Sequence, residues 1–138
     1  MKGLVYVLQS HQTEEKYYGS TTQRLLCQRL AGHKNDYRRM LSNKCKRNSS
    51  SFNIVKYDDV YIELVEEVEY NNIHELRARE QYYIKNNICV NKKIPNRSPK
   101  EWRDDNKEHY LQHKREYVKN RREQTRLSQK KWRENNKP

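Results

Sequence analysis

Apolar positions in this chain change period twice before residue 95 and thin out sharply beyond it. "GLVYVL" at 3–8 is a short apolar run rich in β-formers, and "KYYGS" at 16–20 is a second. With the polar "QSHQTEE" between them, they predict a hairpin with a longish loop. From Thr21 onward the period lengthens. Leu26, Leu30, His33, Tyr37 and Leu41 step by four, three, four and four, the stripe of an amphipathic helix. "NKCKRNSSSFN" at 43–53 reads as a polar loop. In "DVYIELVEEV", Val60, Ile62 and Leu64 alternate with Tyr61 and Glu63, which predicts a third strand with one wetter face. "NNIHELRAREQYYIKNN" predicts a second helix, with Asn72 and Glu75 as a capping pair at its start. "ICVN" at 88–91 reads as a final short extended piece. The order β-β-α-β-α implies an α+β domain, a small three-stranded antiparallel sheet flanked by helices.

Charge divides the chain near Pro95, within the Pro-, Ser- and Asn-containing joint "KIPNRSPKEW". Residues 1–94 carry 16 Lys+Arg against 11 Asp+Glu, a net of +5. Residues 95–138 carry 14 against 7, a net of +7 in under half the length. The expected organisation is therefore a compact domain over 1–94 and a basic, largely helical or disordered arm over 95–138. The arm has a weak internal repeat, "KEWRDDNK" at 100–107 returning as "KKWRENNK" at 130–137, with Tyr110 and Tyr117 one heptad apart between them. Charge runs of this kind ordinarily solvate a helix. The functional alternative is that Arg97, Lys100, Arg103, Lys114, Arg115, Lys119, Arg121, Arg122, Lys130 and Lys131 pair with phosphates, while Trp102, Tyr110, Tyr117 and Trp132 pack on a groove or on bases.

The whole chain has a net charge of +12 and a pI near 9.7, which points first to a polyanionic partner. No apolar stretch reaches the roughly 18 residues a membrane span needs. "MKGLVYVLQSHQ" reads as a first strand rather than a secretory signal. Cys27, Cys45 and Cys89 are odd in number and widely separated, with no C-x-x-C pair or zinc spacing, so a reducing, intracellular setting is expected.

More telling are the polar residues on faces that should be buried. His33 lies on the stripe of the first helix, and Arg29 precedes it by four residues. Glu80 falls on the inner face of the second helix, four residues after Leu76 and three before Tyr83. A carboxylate facing a core is costly unless paired or bound to a metal. Each residue has a plainer explanation: a salt bridge from Glu80 to Arg77, a backbone-satisfied core histidine, an arginine reaching solvent, tyrosines filling a sheet. Their combination is what carries weight.

Read in order, these pieces resemble the GIY-YIG nuclease family. "LVY" at 4–6 stands where that family has G-I-Y, and "YYG" at 17–19 where it has Y-I-G. "LCQRLAGH" at 26–33 is similar to its L-x-x-R-x-x-x-H helix, Glu80 in "ELRAREQYYI" to its glutamate, and Asn91 in "CVNK" to the asparagine that often follows. The likeness spans residues 3–94, and "NRSPKEW" with its basic tail is similar to homing-endonuclease-like members from large viruses and mobile elements. Leu4, Val5 and Tyr18 depart from the family triplets.

The resemblance implies hydrolysis of DNA phosphodiester bonds with Mg²⁺ or Mn²⁺ held by Glu80. Arg29 would clamp the phosphate, and His33 would contact it or take up a proton. Tyr6 would be the general base, which requires the site to lower a phenol pKa of about 10. Tyr17 would orient water or phosphate, Gly19 would allow a tight turn, and Asn91 would be mainly structural. The competing reading is a nucleic-acid-binding protein without catalysis.

Overall fold

The computed structural model describes residues 1–137. Residues Met1–Asn96 form one compact unit, and the chain from Arg97 onward forms another. The first unit is an α+β domain built on a three-stranded antiparallel sheet of order β2-β1-β3, with β1 at Lys2–Ser10, β2 at Thr13–Thr21 and β3 at Tyr61–Glu69. Helix α1 covers Leu26–Leu41, α2 Phe52–Val55 and α3 Ile73–Asn86.

As the central strand, β1 is covered on both sides, so Val5 through Leu8 are all buried. The two-residue period of a strand sorts them. Tyr6 and Leu8 join Ile54, Val55 and Val60, with Leu26, Leu30 and Tyr37 of α1 packed on that cluster. Val5 packs with Val68, Tyr70 and Leu76 on the opposite face, and Val7 with Tyr18 and Ile84. The sheet is thus sandwiched between α1–α2 on one side and α3 on the other. The register of β1 against β3 slips between Val5 and Tyr6, pairing Val5 with Glu66 but Tyr6 with Leu64. The extra residue is Val65, so the bulge lies in β3 opposite Tyr6 while β1 keeps its regular alternation.

Several local expectations are corrected. The loop expected over "QSHQTEE" is a two-residue turn, His11–Gln12, because the strands extend to Ser10 and Thr13. Asp59, from a distant segment, fastens that turn by accepting from Ser10 Oγ at 2.5 Å and the His11 N–H at 2.9 Å. The 43–53 stretch is not polar loop throughout. Ser51 and Phe52 are buried where α2 begins, and Tyr37 packs on the Phe52 ring at 5.5 Å between centroids. The apolar stripe of α1 ends at Tyr37, since Leu41 is exposed. Asn43, just beyond the Ser42 cap of α1, takes the left-handed conformation that asparagine tolerates. At the start of α3, Asn72 accepts from the His74 N–H, while Glu75 reaches back to the Asn71 N–H rather than to Asn72.

"ICVN" is not a strand, but it is tied along β2. The Val90 N–H donates to the Lys16 carbonyl at 2.9 Å, and the Asn91 amide bonds both backbone groups of Tyr18, at 2.9 and 2.7 Å. One asparagine side chain does the work of a ladder pair.

In the second unit, α4 spans Pro99–Asp105 and α5 spans Lys107–Asn135. The arm is helical. Ser98 starts α4 with a full capping box, its side chain bonded to Glu101 N–H and the Glu101 side chain to its own N–H, followed by Pro99 at the first helical position. Neither helix buries a residue. Among the described residues no helix is long and apolar enough to cross a membrane.

Candidate active site

Tyr6 leaves β1 on the α1 side of the sheet and is fully buried. Opposite it on β2 stands Gly19, whose missing side chain gives the phenol its place: a Cβ there would lie 2.5 Å from Tyr6 Oη. This corrects the expected role of Gly19. It sits within a strand at no unusual φ, and its function is to be small. Arg29 and His33, one turn apart on α1, reach the same oxygen. Arg29 Nε donates to Tyr6 Oη at 2.9 Å, and His33 Nε2 lies 2.7 Å from it.

Donor counting fixes the direction of this network. Arginine only donates, so Tyr6 Oη accepts from Arg29 and its own proton goes to His33 Nε2. His33 Nδ1–H then donates to Ser51 Oγ at 3.2 Å, and Ser51 donates to Ser49 Oγ at 2.9 Å. The opposite tautomer would leave the buried Tyr6 proton without an acceptor among the described residues. The Tyr17 ring packs edge-on against His33, 5.7 Å between centroids, and Tyr17 is half-buried. Tyr18 points to the other face, stacked on Tyr83, and is core.

Glu80 is half-buried on α3 and accepts a 2.5 Å hydrogen bond from Ser20 Oγ on β2. Among the described residues it forms no salt bridge with Arg77. Burial raises the Glu80 carboxyl above its ordinary range, opposed by the Ser20 hydrogen bond and the charge of Arg29. Burial likewise raises Tyr17, with the charge of Glu80 adding to it. His33 is pushed down to about 4, chiefly by burial and then by the Arg29 charge, so it is neutral at pH 7.

The expected lowering of Tyr6 is not found. Burial raises its pKa well above that of a free phenol, outweighing the opposing charge of Arg29. In the protein without a bound cation, Tyr6 is a protonated donor rather than a resident phenolate.

Tyr17 and Glu80 line a groove of about 730 Å³ together with Arg47, Ser49, Ser50, Asn53, Asn91, Lys92 and Lys93. Glu80 in this lining suits a hard divalent cation, which needs only one or two protein carboxylates and otherwise keeps water and phosphate ligands. Among the described residues no group of three or more His, Cys, Asp or Glu could enclose an ion. Any such cation would therefore rest on Glu80 and take its other ligands from water and substrate.

Two contributors were not visible in the sequence pattern. Ser20 and Ser51 are ordinary serines in polar runs, and only the packing of β2 on α3 and of α2 on α1 gives them partners. Of the arm residues, Arg97 pairs with Asp105 inside its own unit, and Lys130 lies 3.9 Å from Glu134. Lys100, Trp102, Arg103, Lys114, Arg115, Lys119, Arg121, Arg122, Lys131 and Trp132 are exposed on α4 and α5. Comparisons of the chain with protein-family models, with curated proteins and with solved structures found no match.

Proposed function

We propose that the chain is a divalent-metal-dependent endonuclease of the GIY-YIG kind that hydrolyses DNA phosphodiester bonds. The observation that carries this reading is convergence. Tyr6, Arg29 and His33 share one buried network, with Tyr17 edge-on against His33. Glu80, held by Ser20, lines the same basic groove as Tyr17, near enough for its charge to act on Tyr6, Tyr17 and Arg29.

Arg29 holds Tyr6 through Nε alone, and its guanidinium makes no other hydrogen bond among the described residues. Its terminal nitrogens are left to grip a phosphate and offset the charge that builds in the transition state. Tyr6 Oη takes the proton of the attacking water while passing its own to His33 Nε2, and Ser51 steadies the imidazole from Nδ1. This route avoids a free phenolate, which the raised Tyr6 pKa disfavours. It passes the proton to His33, whose lowered pKa makes it a transient holder that depends on the negative charge of the bound phosphate. Glu80 would hold Mg²⁺ or Mn²⁺, which would supply Lewis-acid charge to a phosphate oxygen. Tyr17, between the groove and His33, orients water or phosphate.

A second reading, nucleic-acid binding without turnover, draws on the full burial of Tyr6, which keeps its hydroxyl from solvent. Incubating supercoiled plasmid with the protein and Mg²⁺ or Mn²⁺ separates the two. Nicking that disappears in Glu80→Ala supports the hydrolase. An inert wild type across metals and substrates, or nicking that survives Glu80→Ala, sinks the assigned mechanism.

A further inference from the structure

The groove lined by Tyr17 and Glu80 is more than an access route. Its lining contains three cations, Arg47, Lys92 and Lys93, against one carboxylate, Glu80. None of the three is in an ion pair among the described residues, although acidic side chains are frequent elsewhere in the unit. Like charges gathered around one concavity repel one another in the absence of an anion, and a polyanion reverses the sign of that interaction.

The backbone that carries Lys92 and Lys93 is anchored on two sides. Lys92 N–H donates to Ser50 Oγ at 3.2 Å, which ties the segment after α3 to the segment before α2. Asn91 locks the same segment to Tyr18 of β2. Ser49, also in the lining, ends the hydrogen-bond chain that begins at Tyr6 and His33. The groove is therefore pre-formed and continuous with the candidate site.

We infer that this groove binds the sugar-phosphate backbone of the DNA strand flanking the scissile phosphate, with Arg47, Lys92 and Lys93 as its phosphate contacts. The inference rests on the nuclease reading and deepens it. It assigns strand positioning to the compact unit itself, through residues that belong neither to the Tyr6–Glu80 set nor to the basic arm.

The test uses the full chain, a short fluorescein-labelled DNA duplex and a chelator, so that binding is read without cutting. Anisotropy titrations across a salt series compare wild type with Arg47→Ala/Lys92→Ala/Lys93→Ala, with the three single variants, and with the control Arg38→Ala/Arg39→Ala/Lys56→Ala. Each phosphate contact contributes about 0.9 to the slope of log K against log salt. The triple variant is expected to lose about 2 to 3 of that slope, each single variant about 0.9, and the control little. Singles and triple that keep the wild-type slope overturn the inference. So does a control that loses as much, or anionic phospholipid vesicles that bind better than duplex through the same three residues. Binding with the expected slope losses but no cutting refutes the hydrolase reading alone. Cutting with unchanged slopes refutes the groove alone.

Discussion

The Tyr6 hydroxyl stands 2.7 Å from His33 Nε2 in a pocket that neither shares appreciably with water. Arg29 on the other side of the oxygen sets the direction of that bond, so the phenol proton faces a neutral imidazole. Tyr6→Phe keeps the ring and removes the link. Cutting is expected to fall by about 10²–10⁴-fold, the usual contribution of a general base. Arg29 and His33 then face bare carbon, at a cost of about 1–3 kcal/mol. Initial nicking rates and urea unfolding of the two proteins check both numbers.

Stability should carry the signature of His33. Its folded pKa, about 4, lies below its unfolded value of 6.5. The stability held by neutral His33 is thus complete above pH about 6.5 and is lost as pH falls towards 4. The loss is on the order of 3 kcal/mol. Urea midpoints measured between neutral and acid pH should fall more steeply for wild type than for His33→Gln. Parallel curves would show that His33 titrates normally.

For Glu80, catalysis and stability should pull in opposite directions. The folded carboxyl has a raised pKa, so ionisation disfavours the native state, and stability declines as pH rises through that folded value. Glu80→Gln removes the buried charge and retains an acceptor for Ser20. The expected outcome is a melting temperature at pH 7 a few degrees above wild type, about 4–8 °C per kcal/mol gained in a domain of this size, with no metal-dependent cutting. Thermal melts paired with the plasmid assay decide it.

Gly19→Ala tests the space kept for Tyr6. Its Cβ would sit 2.5 Å from Tyr6 Oη and 2.6 Å from Cζ, so the phenol must leave its place between Arg29 and His33. A destabilisation of about 1–3 kcal/mol is expected, with cutting reduced alongside it. Wild-type rates in this variant would mean that the position of Tyr6 is not critical.

Removing residues 97–138 deletes 14 Lys+Arg and 7 Asp+Glu, a net of +7. If the arm holds DNA, the truncated protein should bind duplex more weakly and with a shallower salt slope. Circular dichroism should still report a folded α+β unit, because the core clusters lie entirely within Met1–Asn96. Equal affinity and equal slope would remove the arm from DNA binding.

Periodicity made the sheet and the two main helices of the first unit legible, because Val5–Leu8 and the Leu26–Tyr37 stripe must be buried wherever they lie. The same rule marked His33 and Glu80 as polar groups on inward faces. It failed at α2, where four residues are too few to establish a period, and at the His11–Gln12 turn, which is held by Asp59 from 48 residues away.

By itself, then, the sequence determined the α+β plan, the basic arm and the set of polar residues whose burial needs a reason, since these follow from local pattern and charge. Only the tertiary structure decided how they meet. The bulge beside Tyr6, the space left by Gly19 and the serines Ser20 and Ser51 arise from contacts between distant segments. So does the protonation state of Tyr6, because desolvation depends on what surrounds a phenol in space rather than on its neighbours along the chain.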